Sequence, residues 1–165
     1  MYGQLNELRE AIMNKVTTNQ DLLKFIYYCD TDDKTDILSL PNLTKTQIKS
    51  LINTQIFKYK RMPIKDQVEA KCFLSMQFGR VRRDTKNNHW TIPLFAFTIV
   101  CPESILENTI SGNRILAIEQ CLEDIFSYQH IGGIGMTFVV GSEPETVDTG
   151  LSSRTMTLTF LDYVK

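Results

Sequence analysis

Hydrophobic positions along the chain change period several times, and each change marks an element. Leu5, Leu8, Ile12 and Val16 recur at helical spacing with Glu7, Arg9, Glu10 and Lys15 between them, predicting a helix over 4–16. Leu22, Leu23, Phe25 and Ile26 predict a second helix over 19–29, capped by Asn19 or Thr18. The polar run from Asp30 to Asp36 breaks that pattern and reads as a surface loop leading to Ile37–Pro41. Thr44, with Gln47 three residues on, has capping-box spacing and starts a third helix with Ile48, Leu51 and Ile52 as its apolar stripe. Ile56–Pro63 then reads as an extended segment ended by proline.

The period next drops to two. Val68, Ala70, Cys72, Leu74, Met76 and Phe78 alternate with Glu69, Lys71, Ser75 and Gln77, which predicts a long strand with one buried face. Asp84–Asn88 is turn chemistry, and Trp90–Cys101 returns as the second arm of a long hairpin. This arm is apolar on both sides, with Trp90, Ile92, Leu94, Ala96 and Val100 on one face and Phe95, Phe97, Ile99 and Cys101 on the other. Such a strand needs cover twice over. A helix of the same chain supplies one cover, and either another helix or a neighbouring subunit supplies the second.

Asn113–Tyr128 predicts the main sheet-packing helix, with Ile115, Ile118, Leu122, Ile125 and Phe126 inward. Ile131–Gly135 ends it. Met136, Phe138 and Val140 begin a further strand, and Arg154–Tyr163 supplies the last one. The polar stretch Gly141–Ser153 between them reads as a long loop. The expected fold is α+β: a mostly antiparallel four-stranded sheet with a long β-hairpin, packed against helices. One domain spans 1–165, with 1–56 a helical N-terminal part and 57–165 the sheet with its packing helix at 113–128.

Composition narrows this picture only modestly. The chain has 165 residues, 42% apolar and 22% charged, enough to bury a core and too apolar for disorder. The apolar run Leu94–Val100 is far short of the roughly 20 residues a spanning helix needs. The first residues lack the basic stretch and apolar block of a secretory signal, so no membrane is expected as a partner. Cys29, Cys72, Cys101 and Cys121 stand too far apart for a CxxC metal or redox pair and read as buried free thiols, reduced in a cytoplasm.

Candidate chemistry is sparse. An EF-hand begun at Asp30 would put Lys34 at the fifth position, Thr35 where glycine belongs and Pro41 where the bidentate glutamate belongs. The glycines of Ile131–Gly135 follow a helix and precede a strand, the reverse of a phosphate loop. His89 and His130 are the only histidines and have no catalytic motif around them. The reading is therefore no enzyme, no cofactor and no metal, with a small enzyme built on His89 or His130 kept as a third alternative.

Charge is more informative. The net charge is −1, yet nine of the 18 basic residues lie between Lys58 and Lys86, opposed only by Asp66, Glu69 and Asp84. Acid gathers at Asp30–Asp36 and Glu143–Asp148. Segregated charge on a nearly neutral chain suits head-to-tail contacts between copies. It also raises the alternative of a nucleic-acid-binding module using the basic hairpin beside Phe73, Phe95 and Phe97, although Arg80–Arg83 lacks the glycine-aromatic core of an RNA-recognition sheet.

Leu22–Tyr28, Leu38–Thr44, Leu51–Pro63 and the paired long strands together resemble the small neck and tail-completion proteins of tailed bacteriophages, and the element order is similar to that of phage tail terminators. The resemblance covers most of the chain as pattern and order. It implies a structural virion protein of the neck or tail, assembled in the host cytoplasm. Such a protein forms a ring, often of six subunits, that caps the tail tube and joins it to the head connector. The implied partners are further copies of the chain, the tail tube protein and the connector proteins. The extra helices before residue 57 and the stretch Gly141–Ser153 depart from a minimal terminator and leave an adaptor or stopper ring as an alternative. In this reading Phe95, Phe97 and Ile99 contribute to subunit packing. Arg80, Arg82, Arg83 and Lys86 meet an acidic neighbour or lie near genomic DNA in the channel.

Overall fold

The computed structural model describes residues 2–61, 70–78, 82–83, 91–92, 94–131, 135–147 and 149–160. Helices α1 (Tyr2–Thr18), α2 (Gln20–Tyr27) and α3 (Lys45–Leu51) come first, as the periodicity predicts. Their caps are those the sequence announces. The Asn19 side chain accepts from the Leu22 amide at 2.8 Å, and Thr44 with Gln47 closes a capping box. After α3 come β1 (Ile56–Phe57), β2 (Phe73–Phe78), the short pair β3 (Arg82–Arg83) and β4 (Thr91–Ile92), and β5 (Leu94–Pro102). A two-stranded ribbon, β6 (Glu107–Asn108) and β7 (Gly112–Asn113), precedes α4 (Arg114–Phe126). The chain then forms β8 (His130–Ile131), β9 (Gly135–Pro144) and β10 (Leu151–Phe160).

The sheet differs from the expected one. It has six strands in the order β1-β2-β5-β10-β9-β8, is curled into a half-barrel, and is mixed because β1 runs parallel to β2. The α+β class holds, and the four-stranded antiparallel sheet does not. The two added strands are the edges β1 and β8, each only two residues long, too short for any period to show. The loop expected over Gly141–Ser153 is also mostly strand. Gly141–Pro144 pair with Thr157–Arg154 beyond a bulge, leaving a connection of only 145–150. These residues are polar because one side of the ladder is wet, and in a sequence that looks like a loop. Val68–Glu69, Trp90 and Leu161–Tyr163, expected to be strand, lie outside the described residues.

One face of the sheet holds the main core. Leu74, Met76, Phe95, Phe97, Ile99, Met156, Leu158 and Phe160 are buried there against Ile115, Ile118, Leu122 and Phe126 of α4, with α1 and α2 behind. Its centre is an aromatic cluster. Phe97 and Phe126 have ring centroids 5.3 Å apart, and Phe95 lies 6.0 Å from Phe126 and 5.8 Å from Phe160. Arg154 of β10 donates from Nε to Glu119 of α4 at 3.1 Å, and Ser142 bonds the same carboxylate, fixing the helix along the sheet.

Because Phe126 is fully buried against the rings of Phe95 and Phe97, Phe126→Ala should destabilise the chain by about 3–5 kcal/mol. Urea melts of the two proteins check this. A loss below 1 kcal/mol would mean that α4 is not the principal cover of the sheet.

Candidate assembly surface: the two ends of the sheet

Phe95, Phe97 and Ile99, expected to pack against another subunit, are each 0% exposed in the single chain. This corrects the expectation. Their face is the helix side, and α4 covers it without a neighbour. The opposite face of β5 is closed as well, by chain segments that the periodicity does not reveal. Val100 packs with Phe57, Phe73 and Leu151, with Val147 at the margin, while Ala96 and Thr98 are also buried. Arg61 stacks its guanidinium over the Phe57 ring at 4.8 Å.

A polar row runs across this second face. Thr98 and Thr155 face each other across the β5–β10 register with hydroxyls 3.0 Å apart. Thr155 donates to Glu145 at 2.7 Å, and Lys60 donates to the other carboxylate oxygen at 2.7 Å. The Lys60 ammonium, opposed by burial and helped by the Thr155 hydroxyl, holds the Glu145 carboxyl below its ordinary range. The segment after β1 is thereby tied to the segment after β9.

With both faces of β5 closed, its two ends remain as candidate contact surfaces, while Val140 of β9 stays 57% exposed. At the Pro102 end of β5 four acidic stretches converge. Glu103 follows the strand directly, and Glu107 stands exposed on β6. Leu151 pairs with Pro102, which brings the connection after Glu145 to the same end, while Glu143 is level with Thr98 near the middle of β5. The loop 30–36 is docked there too, since the Thr109 amide donates to the Asp33 carbonyl at 2.7 Å and Asn108 Nδ2 to the Thr35 carbonyl at 3.1 Å. Asp30, Asp32, Asp33 and Asp36 of this loop are exposed, with Lys34 its single cation. The Asp32 and Asp33 carboxyls hydrogen-bond each other, which lowers the first below the ordinary carboxylate range and raises the second above it.

The receptor for the loop is the β6–β7 ribbon, and its turn explains itself. Asn108 Oδ1 accepts from the Ile110 and Ser111 amides at 2.9 and 2.7 Å, and Gly112 has φ +72°, a region that favours glycine. The turn holds Ile110 out in solvent at 58% exposure. Beside it, Leu116 at the start of α4 is 52% exposed and borders a cleft of about 450 Å³ that Leu106, Val147 and Leu151 also line. The acidic end thus carries exposed apolar side chains and a recess as well as charge.

The basic hairpin belongs to the other end. Arg82–Arg83 pairs antiparallel with Thr91–Ile92, and Ile92 stands two residues before β5 begins at Leu94. Arg80 and Lys86 lie outside the described residues, as do the side chains of Arg82 and Arg83. The strand β5 spans roughly 27 Å from Leu94 to Pro102, and the ladder precedes its Leu94 end. Of the basic residues counted along the sequence, Arg82 and Arg83 are thus placed beyond the Leu94 end of the central strand, while Lys71 lies just before β2 at the Pro102 end and Lys60 is paired with Glu145.

His130 is exposed on β8, and His89 lies outside the described residues. Among the described residues no group of three His, Cys, Asp or Glu side chains is arranged to hold a metal ion, and no helix is long and apolar enough to cross a membrane.

The model of the YomW family matches residues 19–160, most of the chain. This chain belongs to the YomW family. The name is of phage type, which fits a phage origin and specifies neither a neck nor a terminator. No curated protein matches the chain. The match begins at Asn19 and ends at Phe160, so it takes in the acidic end, the basic hairpin and the whole sheet, while α1 precedes it.

Glu145 supplies a pH test of how the second face is closed. A carboxyl held below its unfolded pKa adds stability that is fully present above the unfolded value and disappears as pH falls through the folded one. Glu145→Gln should therefore destabilise the chain at neutral pH by about 0.5–1 kcal/mol, with the difference shrinking as pH falls below the ordinary glutamate value of about 4.3. Denaturant titrations of both proteins across that range measure it. A difference independent of pH would show that the Lys60–Glu145 pair contributes no electrostatic stability.

Proposed function

We propose that this YomW-family chain is a structural protein of a phage particle, a subunit of a ring that terminates the tail tube and joins it to the head connector. An adaptor or stopper ring is the alternative position. The phage-type family and the resemblance of the element order to neck and tail-completion proteins support the reading. The observation that carries it is the axial separation of charge, with acid and exposed apolar side chains at the Pro102 end and the basic ladder at the Leu94 end. A surface complementary to a different surface of the same molecule makes head-to-tail contacts, which close into rings when the rotation between copies allows. Each subunit completes its own core first, and the ends then recognise one another.

In this reading Arg82 and Arg83, with Arg80 and Lys86 close by in the sequence, meet Asp32, Asp33 and the acidic groups near Glu103 on the next copy. Ile110 and Leu116 supply the apolar part of the contact. Phe95, Phe97 and Ile99 act indirectly, by keeping the sheet rigid between its two ends.

Imaging of particles assembled with this chain should find it in a ring at the head-tail junction. Its absence from particles would overturn the proposal. Charge exchange tests the contact itself. Arg82→Glu/Arg83→Glu should reduce incorporation at least about tenfold, and Asp32→Lys/Asp33→Lys should do the same. The fourfold variant, with both ends reversed, should recover much of the loss. If it recovers none while remaining folded, the two ends do not meet. A hairpin variant that instead loses DNA binding, where the wild type binds with a steep salt dependence, would favour the nucleic-acid module.

A further inference from the structure

Three of the four cysteines, far apart in sequence, converge at the acidic end of the sheet. Cys29 follows the Tyr28 cap of α2, Cys72 immediately precedes β2, and Cys101 is the penultimate residue of β5. Pairing of Phe73 with Val100 sets Cys72 and Cys101 opposite one another at the next step of the antiparallel register. Their sulfurs stand 3.0 Å apart, and about 2.05 Å separates the sulfurs of a formed disulfide. The Cys72 amide donates to Cys29 Sγ at 3.3 Å, and the Cys72 thiol also hydrogen-bonds the Cys29 side chain. All three are free thiols, and Cys29 is the least buried at 4% against 0% for the other two. Cys121 stands apart on α4, near Asp21 and Asp124.

The groups around Cys29 favour its thiolate. Its pKa is lowered to about 7, chiefly by the hydrogen bond from the Cys72 side chain, with burial opposing and the Cys72 amide and the Arg114 charge assisting. Asp30 acts weakly the other way. Arg114 is buried, and each of its described hydrogen bonds goes to a main-chain carbonyl: Ile105 at 3.0 Å, Phe25 at 2.8 Å and Tyr28 at 3.2 Å. None of the described ion pairs includes it. A buried guanidinium is always charged, and a thiolate beside the end of α2 gives it a countercharge. When protonated, Cys29 donates to the Ile26 carbonyl at 3.1 Å. That carbonyl also accepts from Gln55 Nε2 at 2.9 Å, so it keeps a partner when the proton leaves. Burial and the hydrogen bonds with Cys101 and Cys29 push Cys72 well above the ordinary thiol range.

We propose that Cys29, Cys72 and Cys101 form a thiol-disulfide exchange site whose oxidised product is a cross-strand Cys72–Cys101 disulfide, with Cys29 the thiol at which a low-molecular-weight disulfide enters. The Cys29 thiolate attacks one sulfur of the small disulfide and expels the first small thiolate, leaving a mixed disulfide. Cys72 gives up its proton, attacks Cys29 Sγ and expels the second small thiolate. Cys101 then gives up its proton and attacks Cys72 Sγ, releasing Cys29 as a thiolate. The two protons from Cys72 and Cys101 end on the two released small thiols, so two electrons and two protons leave the protein and Cys29 is regenerated. The product bond closes the chain segment carrying the 82–92 ladder at its base, clamping the hairpin where it joins the acidic end. The inference stands on the thiol cluster alone and does not require the assembly reading.

The native wild-type chain, treated with oxidised glutathione over about pH 6 to 9, tests it. Peptide mapping without reductant should find Cys72 joined to Cys101, the mass lowered by two hydrogens, and Tm raised by about 10 °C. The initial rate should reach half its maximum near pH 7, following Cys29. Cys29→Ala should slow the reaction at least about tenfold while giving the same bond. Brief alkylation of the wild type by iodoacetamide at neutral pH should mark Cys29 before Cys72 or Cys101, a readout that needs no variant to fold. Cys72 and Cys101 left unlinked while Cys121 reacts would overturn the proposal. Alkylation of Cys72 or Cys101 before Cys29, or a folded Cys29→Ala protein oxidised as fast as the wild type, would do the same.

Discussion

A single constraint organises this molecule: the central strand β5 is apolar on both faces and water must be kept from each. On one side the constraint is met by rings. Phe95 and Phe97 project into a cluster closed by Phe126 and Phe160, so α4 is positioned by the aromatic packing along its inner stripe. On the other side it is met by two segments that are hardly elements at all, the residues following β1 and the connection between β9 and β10. These are joined through Lys60, Glu145 and Thr155. Burial of this kind contributes on the order of 25 cal/mol per Å² of apolar surface, and β5 collects it twice along its length.

Closing both faces within one chain changes what a partner could recognise. A surface made of an unfinished core would be wide, apolar and obligate. The ends of the finished sheet are instead small and charged, with a few exposed apolar side chains at the acidic end. Surfaces of that character lend themselves to reversible contact and to steering by charge over a Debye length of about 8–10 Å. In the proposed reading the subunit folds alone and assembles by complementary ends, and the buried thiol cluster sits in the acidic end itself.

Much of this architecture was legible in the sequence, where the signal was periodic or chemical. The caps at Asn19 and Thr44, the β2–β5 hairpin and the inward stripe of α4 follow from spacing and side-chain chemistry that act locally. The two-residue strands β1 and β8 were not legible, because two residues have no period and their pairing is decided by what lies alongside in space. Gly141–Pro144 read as loop because a strand edge with a wet side has loop composition. On the second face Phe57, Phe73, Val100 and Leu151 gather from four strands with Val147 at the margin, a contact among segments distant in sequence, so the pattern of β5 alone did not show that one chain closes both of its faces. The thiol cluster was hidden for the same reason. Its residues stand 43 and 29 positions apart, and only the register of β2 against β5 brings two of them together. Charge segregation was visible, but its axial arrangement needed the position of Pro102 against Leu151.

Amide hydrogen exchange, compared between the free chain and the same chain in its assembled state, addresses the central claim most directly. The account predicts that β5 and β10 are already strongly protected in the free chain and change little on assembly. New protection should appear in 30–36, in 103–113 and in the 82–92 ladder. Weak protection of 94–102 in the free chain, with a large gain only on assembly, would contradict it, because the second face of the sheet would then be completed by a neighbour.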